Sequence, residues 1–303
     1  MKILSKDLLF TDNNKVISSD ISAAVTLEKP FTDSIFYSGT FYGLYTSLTS
    51  GWADYSSSNG KTYTTTGYSG STMGNYGCLC PDYTNDGVIV RFISDFYNQR
   101  IAIENNNTTR YINSYSDVYQ CIYVNGQYYL VGYNPSMNTG RIYIGADLSN
   151  WQDPINLPSR ILGIAYGNGL FVLVCSGSQV YISVDGLNYT QYSTPFNGNK
   201  IIFAEDYFII AGTKGLIRSK NGIGWETIYT LDDNYGFWCL CYGNKKLVAG
   251  GREIISTIDF KNYKTIATLS ITNTFDNIVY GNNVFDFTSK SRNKLYYMDW
   301  GIE

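Results

Sequence analysis

The residues best suited to chemistry in this chain are six cysteines, four of which form two Cys-Leu-Cys triplets. The triplets are Cys78–Cys80 and Cys239–Cys241, and the remaining thiols are Cys121 and Cys175. Four thiolates could bind zinc, but zinc-binding pairs usually lie on turns with about two to four residues between the cysteines. A Cys-x-Cys pair on a strand points both thiols to one face. We therefore expect buried core thiols, and we predict no metal site and no cofactor.

Enzyme chemistry is restricted by the complete absence of histidine. Without it, Ser-His-Asp and Cys-His nucleophiles and the usual imidazole base are excluded, so no catalytic residue is predicted. No Walker or dinucleotide-binding glycine pattern follows a predicted strand. A glycosidase generally needs two carboxyl groups across one cleft, which leaves glycoside hydrolysis open as an alternative. The carboxylates considered for it are Asp82, Asp95, Glu104, Glu205 and Asp206.

Composition narrows the class of protein and its partners. Charged residues make up 16% of the 303 residues, below the ~25% common in globular proteins, while Tyr occurs 29 times. The net charge is −3 and no basic stripe is present, so nucleic acid is not an expected partner. No apolar run is long enough to span a membrane. The N-terminal sequence "MKILSKDLLFTDNN" has no signal-peptide core, which predicts synthesis in a cytoplasm.

Short apolar stretches interrupted by a turn recur along the chain. Clear examples are "LGIAYGNGLFVLVC" (162–175), "IIFAEDYFIIAG" (201–212) and "CLCYGNKKLVAGG" (239–251). A period of about 40 residues indicates a repeat architecture. Seven such units start near residues 34, 78, 120, 162, 201, 239 and 277.

Each unit has the pattern of four antiparallel strands. In the fourth unit, Asp185-Gly186 predicts a two-residue hairpin turn between a third strand over 179–184 and a fourth over 187–193. Such units predict an all-β fold, a β-propeller of four-stranded blades, forming a single domain over 1–303. We expect seven blades, with six as the alternative because the first two units are irregular. Residues 1–30 are expected to supply one or more strands that complete the C-terminal blade.

The hairpins after the third strands resemble the Asp-box, or BNR repeat, of propeller blades. Its pattern is close to Ser-x-Asp-x-Gly-x-x-Trp, and both of the best copies are one residue shorter between Asp and Gly. These are Ser183, Asp185, Gly186 and Tyr189, followed by Ser219, Asn221, Gly222 and Trp225. Weaker copies are Ser58, Asn59, Gly60 and Tyr63; Gly145, Asp147 and Trp151; and Thr257, Asp259 and Tyr263. The Asp or Asn side chain is expected to bond backbone N–H groups of the turn, as a fold residue and not a catalyst.

The repeat sequences resemble those of Asp-box propellers found in bacteriophage tails and related particles. This resemblance implies a non-enzymatic virion component at a baseplate, tail fibre or other exterior position, made in the host cytoplasm without a signal peptide. Implied partners are other virion or tail subunits and, for a receptor-binding role, bacterial surface glycan.

Two alternatives to a virion component remain. One is a sialidase-like enzyme, although the Phe-Arg-Ile-Pro signature is absent and Arg91 is its nearest match. The other is a cellular propeller scaffold similar to a photosystem assembly factor.

Candidate ligand contacts lie in segments interpreted as long loops of the early units. Trp52 and Tyr55 occur among small polar residues in 45–63, and Tyr97 occurs in "DFYNQR". Aromatic faces stack on sugar rings, so these three side chains are tentative glycan contacts. The alternative interpretation is that the segments are solvated turns without a binding role.

Overall fold

A computed structural model describes residues 22–26, 31–47, 51–69, 74, 76–83, 88–105, 108–232, 235–268, 274–289 and 294–299. In these ranges every regular element is a β-strand, and none of them forms a helix that could cross a membrane. The strands are as follows: β1 Ser22–Thr26, β2 Asp33–Tyr37, β3 Thr40–Ser47, β4 Gly51–Ser57, β5 Thr64–Ser69, β6 Gly77–Pro81, β7 Ile89–Asp95, β8 Arg100–Asn105, β9 Thr108–Ile112, β10 Asp117–Val124, β11 Gln127–Asn134, β12 Thr139–Gly145, β13 Ile155–Leu157, β14 Ile161–Gly167, β15 Leu170–Cys175, β16 Gln179–Ser183, β17 Thr190–Ser193, β18 Gly198–Ala204, β19 Tyr207–Gly212, β20 Gly215–Ser219, β21 Glu226–Thr230, β22 Phe237–Gly243, β23 Lys246–Gly251, β24 Glu253–Thr257, β25 Lys264–Thr268, β26 Asn277–Gly281, β27 Val284–Ser289 and β28 Lys294–Asp299.

These strands form seven four-stranded antiparallel sheets, which are the blades of a propeller. Blades 1 to 6 are β2–β5, β6–β9, β10–β13, β14–β17, β18–β21 and β22–β25 in chain order. The first strand of each blade contacts the first strand of the next, and β2 contacts β26, so the seven inner strands close a ring. The prediction of seven four-stranded blades is confirmed, and each predicted unit start lies in an inner strand.

Blade 7 joins the two ends of the chain. Its sheet order is β1-β28-β27-β26, so the N-terminal strand forms the outer edge of the last blade. β1 pairs antiparallel with β28, with Ser22 opposite Tyr297 and Thr26 opposite Lys294. The prediction that an N-terminal strand completes the C-terminal blade is therefore confirmed. This pairing covers the edge that β28 would otherwise expose.

The hydrophobic core lies between the blades. Side chains alternate along the strands, and those facing a neighbouring blade form clusters shared by two consecutive blades. Ile164 and Phe171 of blade 4, for example, pack with Val131 and Ile144 of blade 3. The clusters at the other seams follow the same plan, including one that joins Val279 and Val284 of blade 7 to Phe41 of blade 1.

The aromatic-Gly-Asn sequence at the end of several inner strands has two packing roles. A Cβ on Gly167 would lie 2.2 Å from the Phe203 ring of the next blade, so the absent side chain makes room for that ring. Asn168 and Gly169 then take positive φ of 48° and 74°, as a two-residue type I′ hairpin requires. The tight primed turns therefore connect the first and second strands of a blade.

The Asn of this sequence also joins neighbouring blades. Asn168 Nδ2 donates to the carbonyl oxygens of Asp206 (3.1 Å) and Lys220 (3.2 Å) in blade 5. At the closing seam, Asn282 Nδ2 donates to the carbonyl oxygens of Gly39 (3.2 Å) and Ser58 (2.9 Å) in blade 1. The seam between the two ends of the chain thus repeats a contact made inside it.

The prediction of a two-residue turn at Asp185-Gly186 is wrong. Ile182 pairs with Thr190, and residues 184–189 form a longer connection between β16 and β17. We call this connection, together with the last residue of β16, Ser183, the corner turn. Only Gly186 of the Asp-Gly pair has positive φ, at 75°. The structure closes this longer turn with side-chain hydrogen bonds and does not use a primed backbone turn there.

Asp185 is the centre of the corner turn of blade 4. Its Oδ1 accepts the backbone N–H groups of Leu187 and Asn188, both at 2.8 Å, and the Ser183 hydroxyl at 2.7 Å. The Ser183 oxygen in turn accepts the Gly186 N–H at 2.9 Å. These donors hold the pKa of Asp185 well below its usual range, with the backbone N–H of Asn188 as the largest cause. The carboxylate is therefore used to close the turn.

Blades 1, 3, 5 and 6 contain equivalent corner turns. Asn221 and Asp259 accept the same pair of backbone N–H groups in blades 5 and 6, and Asp147 does so in blade 3, which has Gly145 in place of the serine. In blade 1 the serine bonded to Asn59 is Ser57, which corrects the alignment on Ser58. The aromatic residues that end these turns pack into the seam with the preceding blade: Tyr63, Trp151, Tyr189, Trp225 and Tyr263.

Candidate functional site

The two ends of the ring differ in the segments they present. One end, the turn end, holds the tight turns between first and second strands and the corner turns between third and fourth strands. The other, the mouth end, holds the amino ends of the inner strands, the connections between second and third strands, and the links from blade to blade. This division follows from the antiparallel order of each blade.

A cavity of about 290 Å³ opens at the mouth end, where all seven inner strands begin. Its charged lining residues are Lys200, Asp33 and Asp276. No acidic side chain of the described residues lies within ion-pair distance of Lys200. Lys200 can therefore bind an acceptor from outside the chain. The full lining is Thr32, Asp33, Tyr76, Gly77, Val118, Tyr119, Leu162, Asn199, Lys200, Trp238, Cys239, Asp276 and Asn277.

Several polar groups around the cavity hold neighbouring blades together. Asp33 Oδ2 accepts the Leu79 N–H of blade 2 at 2.9 Å, and Asn199 Nδ2 donates to the Phe237 carbonyl of blade 6 at 2.8 Å. Asn277 Nδ2 donates to Ser34 Oγ at 3.0 Å across the closing seam. These contacts fix the rim of the cavity, so its groups are held in place before a ligand binds.

Trp238 is the most accessible ring on this rim, with 46% of its surface exposed. Its indole N–H donates to the Tyr235 carbonyl at 3.0 Å, which fixes the orientation of the ring. The Tyr235 ring is also exposed and has the Arg252 guanidinium 4.9 Å from its centre. An oriented, exposed indole beside polar groups is suited to stacking on a ligand ring.

A second cavity, of about 210 Å³, lies between blades 5 and 6 at the same end of the ring. Its polar groups include Asp232, Arg252 and Glu253, and Tyr229 Oη donates to Glu253 Oε1 at 3.3 Å. The two cavities meet the same short segment of the chain: Trp238 lines the central cavity, and Gly236, between Tyr235 and Trp238, lines the second one. The lining consists of Tyr229, Thr230, Leu231, Asp232, Gly236, Arg252, Glu253 and Thr268.

On the blade 2 to blade 4 side of the mouth, Arg160 is enclosed by tyrosines. Its guanidinium lies 5.1 Å from the Tyr119 ring centre and 5.2 Å from the Tyr133 ring centre, and it donates to the Tyr119 hydroxyl. Tyr76 packs edge-to-face on Tyr119 at 5.3 Å. Desolvation by burial raises the pKa of Tyr119, so the phenol stays protonated and can donate.

Two of the three tentative ligand contacts do not lie in a loop. Trp52 and Tyr55 belong to strand β4 and are buried, Trp52 against Leu79 and Ile93 of blade 2. Residues 45–63 were predicted to form a loop because small polar residues are typical of loops. In the structure, several of these residues belong to strand β4, which packs against the neighbouring blade. Tyr97 is in the connection between β7 and β8 at the mouth end, with 66% of its surface exposed.

The carboxylates weighed for glycosidase chemistry are spread over two blades and both ends of the ring. Asp82, at the turn end of blade 2, accepts from Asn105 Nδ2 and Tyr128 Oη. Asp95, at the mouth end, is paired with Arg100 at 3.0 Å. Glu104 accepts from Thr109 Oγ1 at 3.0 Å within blade 2. Glu205 and Asp206 share one tight turn of blade 5.

Arg91 and the cysteines have structural surroundings. Arg91 of blade 2 forms an ion pair with the buried Asp54 of blade 1. Cys78 and Cys80 point into one cluster, as expected for a Cys-x-Cys pair on a strand. Burial raises the pKa of Cys175 and of Cys241 to about 12, which keeps these thiols protonated. No group of three metal-ligating side chains is present among the described residues.

Sequence reasoning missed the residues that line the mouth, although the repeat alignment contains a signal for them. Asp33, Tyr119, Trp238 and Asp276 each occupy the position directly before a predicted unit start. The strand register places Leu162 and Asn199 at the equivalent position of blades 4 and 5. These positions lie at or near the amino ends of the inner strands, and their residues line the central cavity. Polar and aromatic residues that recur at this position of the repeat predict a central cavity lined by side chains.

No family model matches the chain, and no curated protein matches it. Solved structures are similar in fold. Virginiamycin B lyase from Staphylococcus aureus has a TM-score of 0.73 at 12% identity, covering 91% of this chain and 98% of that chain. A structure described as YCF48 bound to D1 peptide has a TM-score of 0.64 at 13% identity, covering 91% and 96%. At such low identities, this likeness shows the seven-bladed propeller fold alone.

Proposed function

We propose that this protein is a non-enzymatic binding propeller, a structural component of a bacteriophage or phage-tail-like particle. The five corner turns support this proposal, since their hydrogen bonds are those expected of degenerate Asp-boxes. The missing histidine and the spread of the candidate carboxylates favour binding over catalysis. The other virion or tail subunits are its proposed structural partners.

We further propose that the mouth end binds bacterial surface glycan. The observation that carries this is the exposed Trp238 ring, oriented by Tyr235 and placed beside the central cavity. Trp and Tyr faces stack on the apolar faces of sugar rings, while Asn199, Lys200 and the carboxylates can bond hydroxyl groups. Exposed aromatic residues at this end also include Phe96 and Tyr97.

A second candidate is a scaffold that binds another protein through the same end. Tyr, Trp and Arg are the residues most enriched at energetically important positions of protein interfaces, and all three occur at the mouth. The solved structure of YCF48 with D1 peptide is a propeller of similar fold with a bound peptide. Both candidates use the same surface and differ in the chemistry of the ligand.

Binding of labelled protein to cell envelopes of the host bacterium tests the proposal and separates the two candidates. For a glycan ligand, we expect saturable binding that survives protease treatment of the envelopes and is competed by extracted wall glycan. Binding that protease abolishes and wall glycan leaves unchanged would indicate a protein partner. No saturable binding at micromolar protein would contradict the envelope-binding role.

A further inference from the structure

A buried arginine without an acidic partner lies at the seam of blades 2 and 3, at the mouth end. Arg141 is the third residue of β12 and keeps only 7% of its surface exposed. Its guanidinium is always charged at physiological pH. A buried charge is normally paired, because transfer of an ion out of water is costly. The ion pairs of the described residues use Arg91, Arg100 and Arg218, and none involves Arg141.

The partners of Arg141 are neutral and incomplete. Nη1 donates to Ser114 Oγ and, at 3.4 Å, to Tyr143 Oη, while Nε has no partner. Nη2 contacts Met137 Sδ at 2.8 Å, and a thioether is a weak acceptor. Asp117 is the carboxylate on the neighbouring segment. It accepts from Tyr115 Oη at 2.8 Å and has Arg160 as its charged neighbour.

One of the side chains that contact Arg141 is exposed. Met137 lies in the turn between β11 and β12 with 59% of its surface exposed, and it is unbranched and flexible. A change of its rotamer would break the contact with Nη2 and free that group for another acceptor. The Ser114 hydroxyl lies beside the guanidinium and can also donate to an incoming oxygen, whereas the buried Tyr143 hydroxyl is already bonded within the seam, 2.8 Å from Ser116 Oγ. Phe96 and Tyr97 are exposed apolar surfaces at the mouth end of the adjoining blade.

We infer that Arg141 is the anchor of an oxyanion site, which takes a carboxylate or phosphate group of a ligand bound at the mouth end. A planar guanidinium bonds such groups bidentately, and an anion would supply the charge that the fold leaves uncompensated. The inference deepens the proposed glycan role by assigning an acidic sugar or a phosphate-bearing chain as ligand. The anion site can be tested by itself, without envelope binding.

The side chain of Met137 provides a direct reporter of this site. The full-length protein would be labelled with ¹³C at its methionine methyl groups, and the Met137 signal assigned with Met137→Leu. The probes are glucuronate and glycerol phosphate at millimolar concentration, and their neutral counterparts are glucose and glycerol, with ionic strength held constant by chloride. We expect a saturable shift of the Met137 signal with at least one anion and none with the neutral probes.

The pattern of response separates the two sources of the anion. A shift with glucuronate alone indicates a carboxylate sugar, and a shift with glycerol phosphate alone indicates a phosphate-bearing polymer. Arg141→Leu is expected to weaken the response about 10- to 100-fold, while Arg141→Lys keeps part of it because it keeps the charge. An unresponsive Met137 signal in the wild-type protein, or equal shifts with glucose and glucuronate, would overturn the inference whatever the variants do. Envelope binding that persists in that case would leave the glycan proposal standing without an anion site.

Discussion

Asp286 is a carboxyl group in a position that other blades fill with apolar residues. It lies in the middle of β27, where blades 4 and 5 have Val172 and Ile209, and it faces the seam with blade 1. The Tyr63 hydroxyl donates to its Oδ2 at 2.5 Å. Burial raises the pKa of Asp286 to about 8, and the nearby Lys61 acts in the opposite direction.

The raised pKa predicts a pH-dependent stability that Asp286→Asn should remove. Between about pH 4 and pH 8 the unfolded chain releases this proton and the folded chain keeps it, so the free energy of unfolding falls as pH rises. The loss is at most about 1.4 kcal/mol per pH unit and stops above the folded pKa. Thermal midpoints of wild type and Asp286→Asn should therefore converge toward acid pH, with the variant more stable toward alkaline pH. Parallel pH profiles would contradict the assignment.

The residues that line the central cavity could be located from the sequence only in part. The repeat alignment places Tyr119 and Trp238 at equivalent positions, as the strand register does, but in blade 5 it is displaced by one residue, because Asn199 and not Lys200 is equivalent to Trp238. It could not give the environment of Trp52, because a strand of small polar residues has the composition of a loop. The missing information was the neighbouring blade, whose Leu79 and Ile93 bury the indole.

The repeat period and the apolar alternation of the strands were sufficient to predict the blades. They were not sufficient for turn geometry. Asp-Gly is a common signal for a two-residue turn, yet in blade 4 the side chain of Asp185 closes a longer turn. Tight primed turns occur instead at pairs such as Glu205-Asp206, where both residues take positive φ. Local composition did not determine which of the two connections would be short.

Substitution of two glycines, one in a corner turn and one in a tight turn of blade 4, can distinguish the cost of backbone strain from the cost of a steric clash. Gly186 has φ of 75°, and a Cβ there would lie 2.7 Å from the Tyr129 ring of blade 3. Gly169 has φ of 74°, and a Cβ there would meet no atom within 4 Å. We expect Gly169→Ala to cost about 1 kcal/mol from backbone strain alone, and Gly186→Ala about 2–4 kcal/mol. Chemical denaturation measures both, and equal losses would show that the Tyr129 contact has no energetic consequence.

The pairing of β1 with β28 completes blade 7 and joins the two ends of the chain. Deletion of residues 1–26 removes β1 and leaves β28 as an unpaired edge, whereas deletion of residues 1–20 retains β1. We expect the longer deletion to lower the thermal midpoint and to promote self-association through the exposed edge. Light scattering after size-exclusion chromatography would detect it. Equal stability and a monomeric state for both truncations would show that β1 is dispensable for closure.

We propose the mouth end as the binding end of the propeller. Trp238→Ala removes the oriented ring at the mouth, and the matched control Tyr83→Ala removes a ring that is 51% exposed at the turn end. The decisive measurement is the equilibrium affinity of both folded variants for host cell envelopes. We expect Trp238→Ala to weaken binding about 10-fold or more, in line with the cost of losing an aromatic anchor, and Tyr83→Ala to bind like wild type. Loss of binding in Tyr83→Ala with wild-type affinity in Trp238→Ala would place the ligand at the turn end and contradict binding at the mouth end.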